Sequence, residues 1–261
     1  MTLQEISLTV QAAERKAAKL IMQAHDILAE NKSGARDVVT EYDRRVQQLL
    51  MDELRAALPD AHFFCEEMNE QEKLDSERLF IIDPIDGTMN FVRGFHHSCV
   101  SVAYAERGRV MAAAVYNPYM DEMFHAVRGA GAFLNGRPIR VAADDLAHSV
   151  VCFGTSPYRP DLAAKTFERA RLLFEASLDV RREGTAELDL CSVAAGRAGL
   201  FFEFDLSLWD YAAGVMIIEE AGGCCRTADG RPLPYTGEKS SVAAASPAVM
   251  EEYLRLTGAQ A

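Results

Sequence analysis

The spacing of apolar residues predicts two helices at the start of the chain. From Leu3 to Asn31, apolar residues recur at intervals typical of one long amphipathic helix. The Asn31–Gly34 segment breaks this pattern and predicts a loop. A second amphipathic pattern begins after Thr40, a suitable N-cap residue, and Pro59 ends it.

The pattern then changes to short segments with the composition of strands. Cys99–Glu106 and Arg109–Asn117 flank Arg107-Gly108, which is typical of a β-hairpin. Further along, Asn135-Gly136 favours a type I′ turn. Helices followed by a strand meander predict an α+β half with an antiparallel sheet.

Strand-like and helix-like segments alternate through the rest of the chain. The alternation begins with the apolar run Ser149–Phe153 and ends with a helix predicted at Pro247–Leu256. Such an alternation predicts a second unit of the α/β type. We therefore assign residues 1–141 to an N-terminal half and residues 142–261 to a C-terminal half. No flexible linker is visible between them, so the halves are expected to pack together.

A predicted buried strand leads into the segment with the clearest chemistry. The apolar run Leu79–Ile82 is followed by Asp83-Pro84-Ile85-Asp86-Gly87-Thr88. Two carboxylates at the end of a buried strand raise each other's pKa unless a cation lies between them. Their oxygens suit Mg²⁺, which keeps waters that a phosphate can displace. The residues thus indicate a metal site that handles phosphate, and the alternative is an ordinary turn in which Asp83 caps the strand.

Acidic residues also occur at the ends of three other predicted elements. Glu66-Glu67 follows a predicted strand and could form a solvated turn. Thr40 and Asp43 have the chemistry of a helix start, and Asp210 could cap the helix that follows it. The residue types alone leave these alternatives open.

The amino-acid composition argues against several classes of binding partner and metal. The 261-residue chain has a formal net charge of −12, which argues against a nucleic-acid backbone or an anionic membrane as a general partner. Its six cysteines form no C-x-x-C pair, so a zinc site is not expected. No signal peptide opens the chain, and no apolar run approaches the roughly 20 residues that span a bilayer. We expect a reduced, soluble, cytoplasmic protein.

The segment of residues 83–91 resembles a signature of the inositol monophosphatase family, which are Mg²⁺-dependent, lithium-sensitive phosphomonoesterases. It is similar to D-P-I-D-G-T-x-N-F, with Met89 in place of a second threonine. Asp37–Asp43 is similar to the family's D-x-V-T-x-x-D segment. Glu66-Glu67 is similar to its glutamate pair, with Cys65 in place of the usual glycine.

A fourth segment resembles the family's second signature. Trp209–Gly214 reads W-D-x-A-A-G, and E-A-G-G follows at residues 220–223. The four motifs occur in the family's order over nearly the whole chain. The resemblance implies an α+β fold, a layered αβαβα sandwich in which an antiparallel-sheet half packs on an α/β half.

The resemblance also implies roles for individual residues. Two or three Mg²⁺ ions would be held by side chains and one backbone carbonyl: Glu66, Asp83 and the carbonyl of Ile85 for the first ion, Asp83, Asp86 and Asp210 for the second, and Glu66 through water for a weaker third. The backbone amides of Gly87 and Thr88 would bind the phosphate. Thr88, oriented by Asp43, would act with Glu66 to position the attacking water.

Contacts to a sugar-like substrate are also implied by the resemblance. They would come from Gly184, Thr185, Ala186 and Glu203, together with Asp86 and Asp210. Glu203 belongs to an E-x-D pair and could equally be surface charge.

The expected reaction is the hydrolysis of myo-inositol monophosphate and similar polyol phosphates to the alcohol and phosphate. Within the same superfamily, fructose 1,6-bisphosphate and 3′-phosphoadenosine 5′-phosphate are the alternative substrates. A non-catalytic, RNA-associated regulatory protein that keeps the fold is the alternative of a different class. The resemblance further implies a homodimer.

Overall fold

Two large β-sheets, a two-stranded hairpin and seven α-helices are the main elements of the described part of the protein. The computed structural model describes residues 1–34, 36–68 and 71–259. Within these residues the helices are α1 (Leu3–Met22), α2 (Glu41–Ala57), α3 (Thr88–Arg93), α4 (Ala163–Ala176), α5 (Ala186–Ala194), α6 (Ala212–Glu220) and α7 (Pro247–Thr257). None of these helices is long and apolar enough to cross a bilayer.

The strands form one short hairpin and the two large sheets. They are β1 (Ala29–Gly34), β2 (Asp37–Thr40), β3 (His62–Cys65), β4 (Leu79–Asp86), β5 (Cys99–Glu106), β6 (Arg109–Asn117), β7 (Glu122–Val127), β8 (Gly131–Leu134), β9 (Arg137–Ile139), β10 (Val150–Phe153), β11 (Asp179–Arg181), β12 (Leu200–Leu206), β13 (Cys224–Arg226) and β14 (Ser240–Ala245). Short 3₁₀ turns lie at Leu146–His148, Pro160–Leu162 and Leu208–Asp210.

The order of the strands differs between the two sheets. The seven-stranded sheet runs from β3 to β9 in sequence order, and each of its pairs is antiparallel except the parallel pair β3–β4. The five-stranded sheet has the order β11-β10-β12-β14-β13, with parallel pairing on both sides of β10 and antiparallel pairing on both sides of β14. The predicted hairpin and the predicted meander of the N-terminal half are therefore present.

Three apolar cores join the layers. The first lies between α1, α2 and one face of the seven-stranded sheet, and it contains Val46 of α2 and Phe80 of β4. The second contains α5 and α6 between the two sheets, with Ile81 and Phe201 on facing strands. The third packs the outer face of the five-stranded sheet on α4 and α7, around Tyr253. Helices and sheets thus alternate as a layered αβαβα sandwich, which confirms the predicted α+β fold.

The two sheets occupy separate stretches of the chain. The seven-stranded sheet uses residues 62–139 and the five-stranded sheet uses residues 150–245. However, α5 and α6 belong to the C-terminal stretch and pack against both sheets. The division into halves at residue 142 therefore stays a prediction.

The predicted helix from Leu3 to Asn31 is too long. Helix α1 ends at Met22, and the last part of the predicted helix forms β1, which pairs with β2. The backbone of His25 makes a tertiary contact instead. The N–H of His25 donates to the Tyr42 hydroxyl at 3.3 Å, and the Tyr42 hydroxyl donates to the carbonyl of His25 at 3.2 Å. Leu28 is 79% exposed, so its apolar side chain does not continue the buried face of α1.

A buried acid in α1 opposes the stability of this fold. Glu14 is 0% exposed, and neither carboxylate oxygen has a well-formed hydrogen bond to a described residue. Burial, and secondly the charge of Glu187, raise the pKa of Glu14 well above its ordinary value of 4.5, and the nearby Val102 backbone offsets only part of this. The folded protein therefore keeps the neutral acid form of Glu14 to a higher pH than the unfolded chain does.

This burial makes stability depend on pH. As pH rises above about 4.5, the unfolded chain releases the Glu14 proton while the folded chain keeps it, so the free energy of unfolding falls. We predict that Glu14→Gln abolishes this loss, and that Glu14→Met also adds stability, on the order of 1–3 kcal/mol, because it removes an unsatisfied buried polar group. Urea unfolding from pH 4 to 8 measures both. A wild-type pH profile identical to that of Glu14→Gln would contradict the prediction.

Candidate metal and phosphate site

One cavity of about 470 Å³ gathers the residues predicted to carry the chemistry. Its lining comes from both sheets and from the turns beside them. Among the lining residues are Glu66, Asp83, Ile85, Asp86, Gly87, Thr88, Gly184, Thr185, Ala186, Glu203 and Asp210. Asp43 is not in this lining and lies directly behind Thr88.

An irregularity in β4 brings Asp83 and Asp86 to the same cavity. Asp83 pairs with Ser101 of β5, but Asp86 pairs with Cys99, so β4 contains one extra residue. Side chains three positions apart would point to opposite faces of a regular strand. The bulge, which includes Pro84 with its missing amide donor, redirects the second carboxylate.

Gly87 joins β4 to α3 in a conformation that suits glycine. Its φ is +88°, and an added Cβ would lie 2.7 Å from Cγ2 of Thr185. The close approach brings Gly87 and Thr88 against the Gly184-Thr185 segment. The side-chain amide of Asn90 fixes this meeting by donating to the Glu183 and His97 carbonyls, each at 2.8 Å.

Asp43 has both of the roles considered from the sequence. Its Oδ2 accepts from the Thr40 amide at 2.8 Å and the Thr40 hydroxyl at 2.6 Å, so it completes a capping box at the start of α2. Its Oδ1 lies 3.2 Å from the hydroxyl oxygen of Thr88. That hydroxyl also lies 3.1 Å from the Ile85 carbonyl oxygen, so its single proton is shared between the two acceptors.

Glu66 and Glu67 do not form a solvated turn. The Glu66 and Glu67 side chains are 23% and 9% exposed, and both pair with Lys32 of β1, whose Nζ lies 2.9 Å from Glu66 Oε1. Burial acts to lower the pKa of Lys32, but the two glutamates outweigh it and raise the pKa overall. Sequence reasoning missed Lys32 because it placed this residue in a loop after a helix, and no local signal marks the hairpin.

Glu203 lines the same cavity and is held by hydrogen bonds from Ser156. Its Oε1 accepts from the Ser156 amide at 2.7 Å and lies 3.2 Å from the Ser156 hydroxyl. An added Cβ at Gly154 would lie 1.7 Å from Glu203 Oε2, so only glycine leaves room for the carboxylate. Glu203 is 8% exposed and is therefore not surface charge. Ser156 and Gly154 carried no recognisable motif in the sequence.

The carboxylates raise one another's pKa. Burial comes first, and the charges of Glu66, Asp86 and Asp210 follow, in raising the pKa of Asp83 well above its ordinary value. Burial likewise raises the pKa of Asp86 to about 7. Backbone amides partly compensate, from Ile85 to Asp83 at 3.0 Å, from Glu187 to Asp86 at 2.7 Å and from Ser207 to Asp210 at 2.7 Å.

The chain matches the model of the Inositol monophosphatase family over residues 2–260. It belongs to this family. It is 37% identical over 232 residues to the inositol-1-monophosphatase of Rhizobium meliloti (strain 1021), covering 88% of this chain and 87% of the relative. It is also 39% identical over 223 residues to Nus factor SuhB of Escherichia coli (strain K12), covering 84% of this chain and 83% of that protein.

Solved structures share the fold of this family member. The extragenic suppressor protein suhB of Bartonella henselae is 32% identical with a TM-score of 0.88, over 98% of both chains. An IMPase/NADP phosphatase complexed with Mg²⁺ and phosphate is 27% identical with a TM-score of 0.85, over 100% of this chain and 97% of that one. The chain is thus an inositol monophosphatase-family phosphatase, and metal dependence in the family is supported by such complexes.

The oxygen atoms that the candidate ligands offer are of the kind that a hard divalent cation binds. Glu66, Asp83, Asp86 and Asp210 supply carboxylate oxygens, and Ile85 supplies a carbonyl, which are the ligands that Mg²⁺ prefers. As placed here, no three carboxylate, imidazole or thiol groups of the described residues are arranged to hold an ion together. Glu66, which pairs with Lys32, would have to exchange that partner for the ion.

The mutual repulsion of these carboxylates leads to a prediction about metal-free protein. Asp83→Asn replaces, at nearly constant volume, a buried acid whose raised pKa destabilises the folded state, so we expect the EDTA-treated variant to be more stable than wild type by roughly 1–3 kcal/mol. Wild type should gain about 2.7 kcal/mol from Mg²⁺ at 100 times its dissociation constant, whereas the variant should gain little. Thermal unfolding with Mg²⁺ or EDTA measures both effects. An equal Mg²⁺ response in the two proteins would contradict the assignment.

Proposed function

We propose that the protein is a Mg²⁺-dependent phosphomonoesterase that hydrolyses myo-inositol monophosphate and similar polyol phosphates to the polyol and phosphate. One observation carries the proposal. A single cavity contains the candidate metal ligands, the Gly87-Thr88 turn and a buried Glu203. Metal-type donors, a place for phosphate and an acceptor for substrate hydroxyls are thus within reach of one small molecule.

The proposed ligands are Glu66, Asp83 and the carbonyl of Ile85 for one ion, and Asp83, Asp86 and Asp210 for another, with Glu66 serving a third through water. When bound, Mg²⁺ supplies activation of water and neutralises charge on the phosphate. Gly87 and Thr88 present their amides to the phosphate oxygens.

Thr88 and Asp43 hold the attacking water in this proposal. Since the Thr88 hydroxyl can donate to Asp43, its lone pairs are free to accept a proton-donating contact from that water. Glu66, which also lines the cavity, accepts a second hydrogen bond from that water. A water nucleophile agrees with the state of the cysteines, because burial raises the pKa of Cys65, Cys99 and Cys191 and keeps the thiols protonated.

The carboxylates around Glu203, including Glu203 itself, favour a polyol as the leaving group because they accept hydrogen bonds. The Glu203 carboxylate, together with Asp86 and Asp210, can accept hydrogen bonds from neighbouring hydroxyls, and Gly184, Thr185 and Ala186 form the adjoining wall. The homodimer, the cytoplasmic location and the lithium sensitivity also belong to this proposal. Lithium sensitivity is supported by a staphylococcal inositol monophosphatase solved as a lithium-soaked inhibitory complex, 27% identical with a TM-score of 0.86.

A larger phosphate ester is the second candidate. Arg36 and Arg182 line the cavity and form no ion pair within the part of the chain that the structure describes. A second phosphate, as in fructose 1,6-bisphosphate or 3′-phosphoadenosine 5′-phosphate, could bind these guanidinium groups. The similarity to Nus factor SuhB keeps a regulatory role as a third outcome.

Phosphate release with Mg²⁺ tests the proposal. The substrates are D- and L-myo-inositol 1-phosphate, glycerol 2-phosphate, fructose 1,6-bisphosphate and 3′-phosphoadenosine 5′-phosphate, each with and without EDTA. Fastest EDTA-sensitive release from the inositol phosphates is the expected result. Preference for a bisphosphate or the nucleotide would overturn the substrate assignment. Absence of metal-dependent phosphate release from every substrate would overturn the proposed activity.

We predict that Asp86→Asn abolishes EDTA-sensitive turnover without unfolding the protein. The substitution removes a ligand charge and keeps the shape of the side chain. Asp52→Asn on the exposed side of α2 is the matched control and should retain wild-type rates. Full activity of Asp86→Asn, with circular dichroism confirming the fold, would refute its role.

Gly154→Ala should weaken polyol binding in particular. Its methyl group would displace the Glu203 carboxylate, and losing a charged hydrogen bond of about 1.5–3 kcal/mol corresponds to a rise in KM of about 10- to 100-fold. The KM for p-nitrophenyl phosphate, which has no sugar-like hydroxyls, should change little. Gly237→Ala is the control, because its added Cβ meets nothing closer than Phe64 at 3.9 Å. An unchanged KM for inositol phosphate would argue against substrate binding by Glu203.

A further inference from the structure

Glu187 is a buried acid one residue beyond the Gly184–Ala186 segment. It is the second residue of α5, it is 0% exposed, and it does not line the cavity. An ionisable side chain buried this deeply requires compensating hydrogen bonds. The structure supplies them from two other elements.

The carboxylate of Glu187 caps a helix to which it does not belong. Its Oε2 accepts from the Gly214 amide at 2.6 Å, and its Oε1 lies 3.3 Å from the Ala213 amide. Both amides are in the first turn of α6, whose preceding residue Tyr211 provides no side-chain cap. Helix starts leave such amides without partners, and the carboxyl oxygens of Glu187 accept their hydrogen bonds.

The same carboxylate is tied to β5. Ser101 donates its hydroxyl proton to Glu187 Oε1 at 2.9 Å. Ser101 is the residue that pairs with Asp83 across β4 and β5. One side chain therefore connects the strand beside Asp83 to the first turn of α6.

All three candidate aspartate ligands adjoin this connection. Asp210 lies two residues before α6, Asp83 lies opposite Ser101, and Asp86 accepts the backbone amide of Glu187 at 2.7 Å. The elements that carry them are far apart in sequence, so their spacing depends on tertiary contacts of this kind.

The fit around the carboxylate leaves little freedom. An added Cβ at Gly214 would lie 2.6 Å from Glu187 Oε2 and 2.6 Å from Leu190 Cβ. The glycine therefore makes room for the carboxylate, and α6 approaches α5 more closely than a side chain at this position would allow.

We propose that Glu187 is a positioning residue that sets the place of Asp210 relative to Asp83 and Asp86. This inference rests on the proposed function, in which those aspartates bind the metal. The alternative is that Glu187 only stabilises the packing of α5 on α6. The positioning role predicts that substitution of Glu187 weakens metal affinity well below the unfolding temperature, whereas the packing role predicts no such change.

Binding of Mn²⁺ alone tests the proposal. Mn²⁺ takes the same oxygen ligands as Mg²⁺, and its free form is quantified by electron paramagnetic resonance. The full chain is titrated without substrate as wild type, Glu187→Met, Glu187→Gln and Glu14→Met. Glu14→Met is the matched control, since it replaces another fully buried glutamate that does not line the cavity.

We expect Glu187→Met to raise the Mn²⁺ dissociation constant about 10- to 100-fold, as removal of a residue that supports metal ligands commonly does. Glu187→Gln should raise it at least about threefold, because its NH₂ group must face an N–H or O–H donor. Glu14→Met should stay within about twofold of wild type.

The proposal is overturned if either folded Glu187 variant has a Mn²⁺ dissociation constant within about twofold of the wild-type value. This holds even if the unfolding temperature of that variant in EDTA is lower. If Glu187→Met does not fold, Glu187→Gln decides. Failure of the proposed function gives a different result: wild type would then bind no Mn²⁺ or release phosphate without EDTA sensitivity.

Discussion

The structure depends on holding several carboxylates together away from water. Asp83, Asp86, Asp210 and Glu66 meet where two sheets and their connecting turns come together, and their charges raise one another's pKa. Such an arrangement is unfavourable unless the surroundings compensate. The protein compensates with backbone amides aimed at the aspartates and with the ammonium group of Lys32 beside Glu66. Local features that look unrelated, such as the bulge in β4 and the positive φ of Gly87, serve this one arrangement.

Two further buried acids show how differently a fold can treat the same side chain. Glu187 receives hydrogen bonds from Ser101 and from the first turn of α6, which offset part of the effect of burial and leave its pKa raised to about 8. Glu14 receives no comparable set of donors among the described residues, and burial in an apolar core raises its pKa well above the ordinary value. The difference lies in the neighbours, since burial itself is complete in both cases.

Patterns local in sequence predicted most of the fold, and the resemblance of short motifs to a known family predicted which acidic residues line the cavity. The hairpins, the alternation after residue 142 and the acidic motifs are short-range signals, and Glu66, Asp83, Asp86 and Asp210 do share one cavity. Features that arise from tertiary contact could not be predicted in this way. Helix α1 ends at Met22, and just beyond its end the Tyr42 hydroxyl contacts the backbone of His25. Lys32, Ser156 and Glu187 likewise owe their positions to partners distant in sequence, and none lies in a motif that marks it.

The cavity draws its residues from both parts of the chain. Glu66, Asp83 and Asp86 come from the stretch that forms the seven-stranded sheet, whereas Asp210 and Glu203 come from the stretch that forms the five-stranded sheet. Any ligand that contacts both groups therefore adds its binding free energy to the association of the two sheets. By the same thermodynamic linkage, a substitution in the core between the sheets changes ligand affinity without touching the cavity, in proportion to how far it shifts their docking equilibrium.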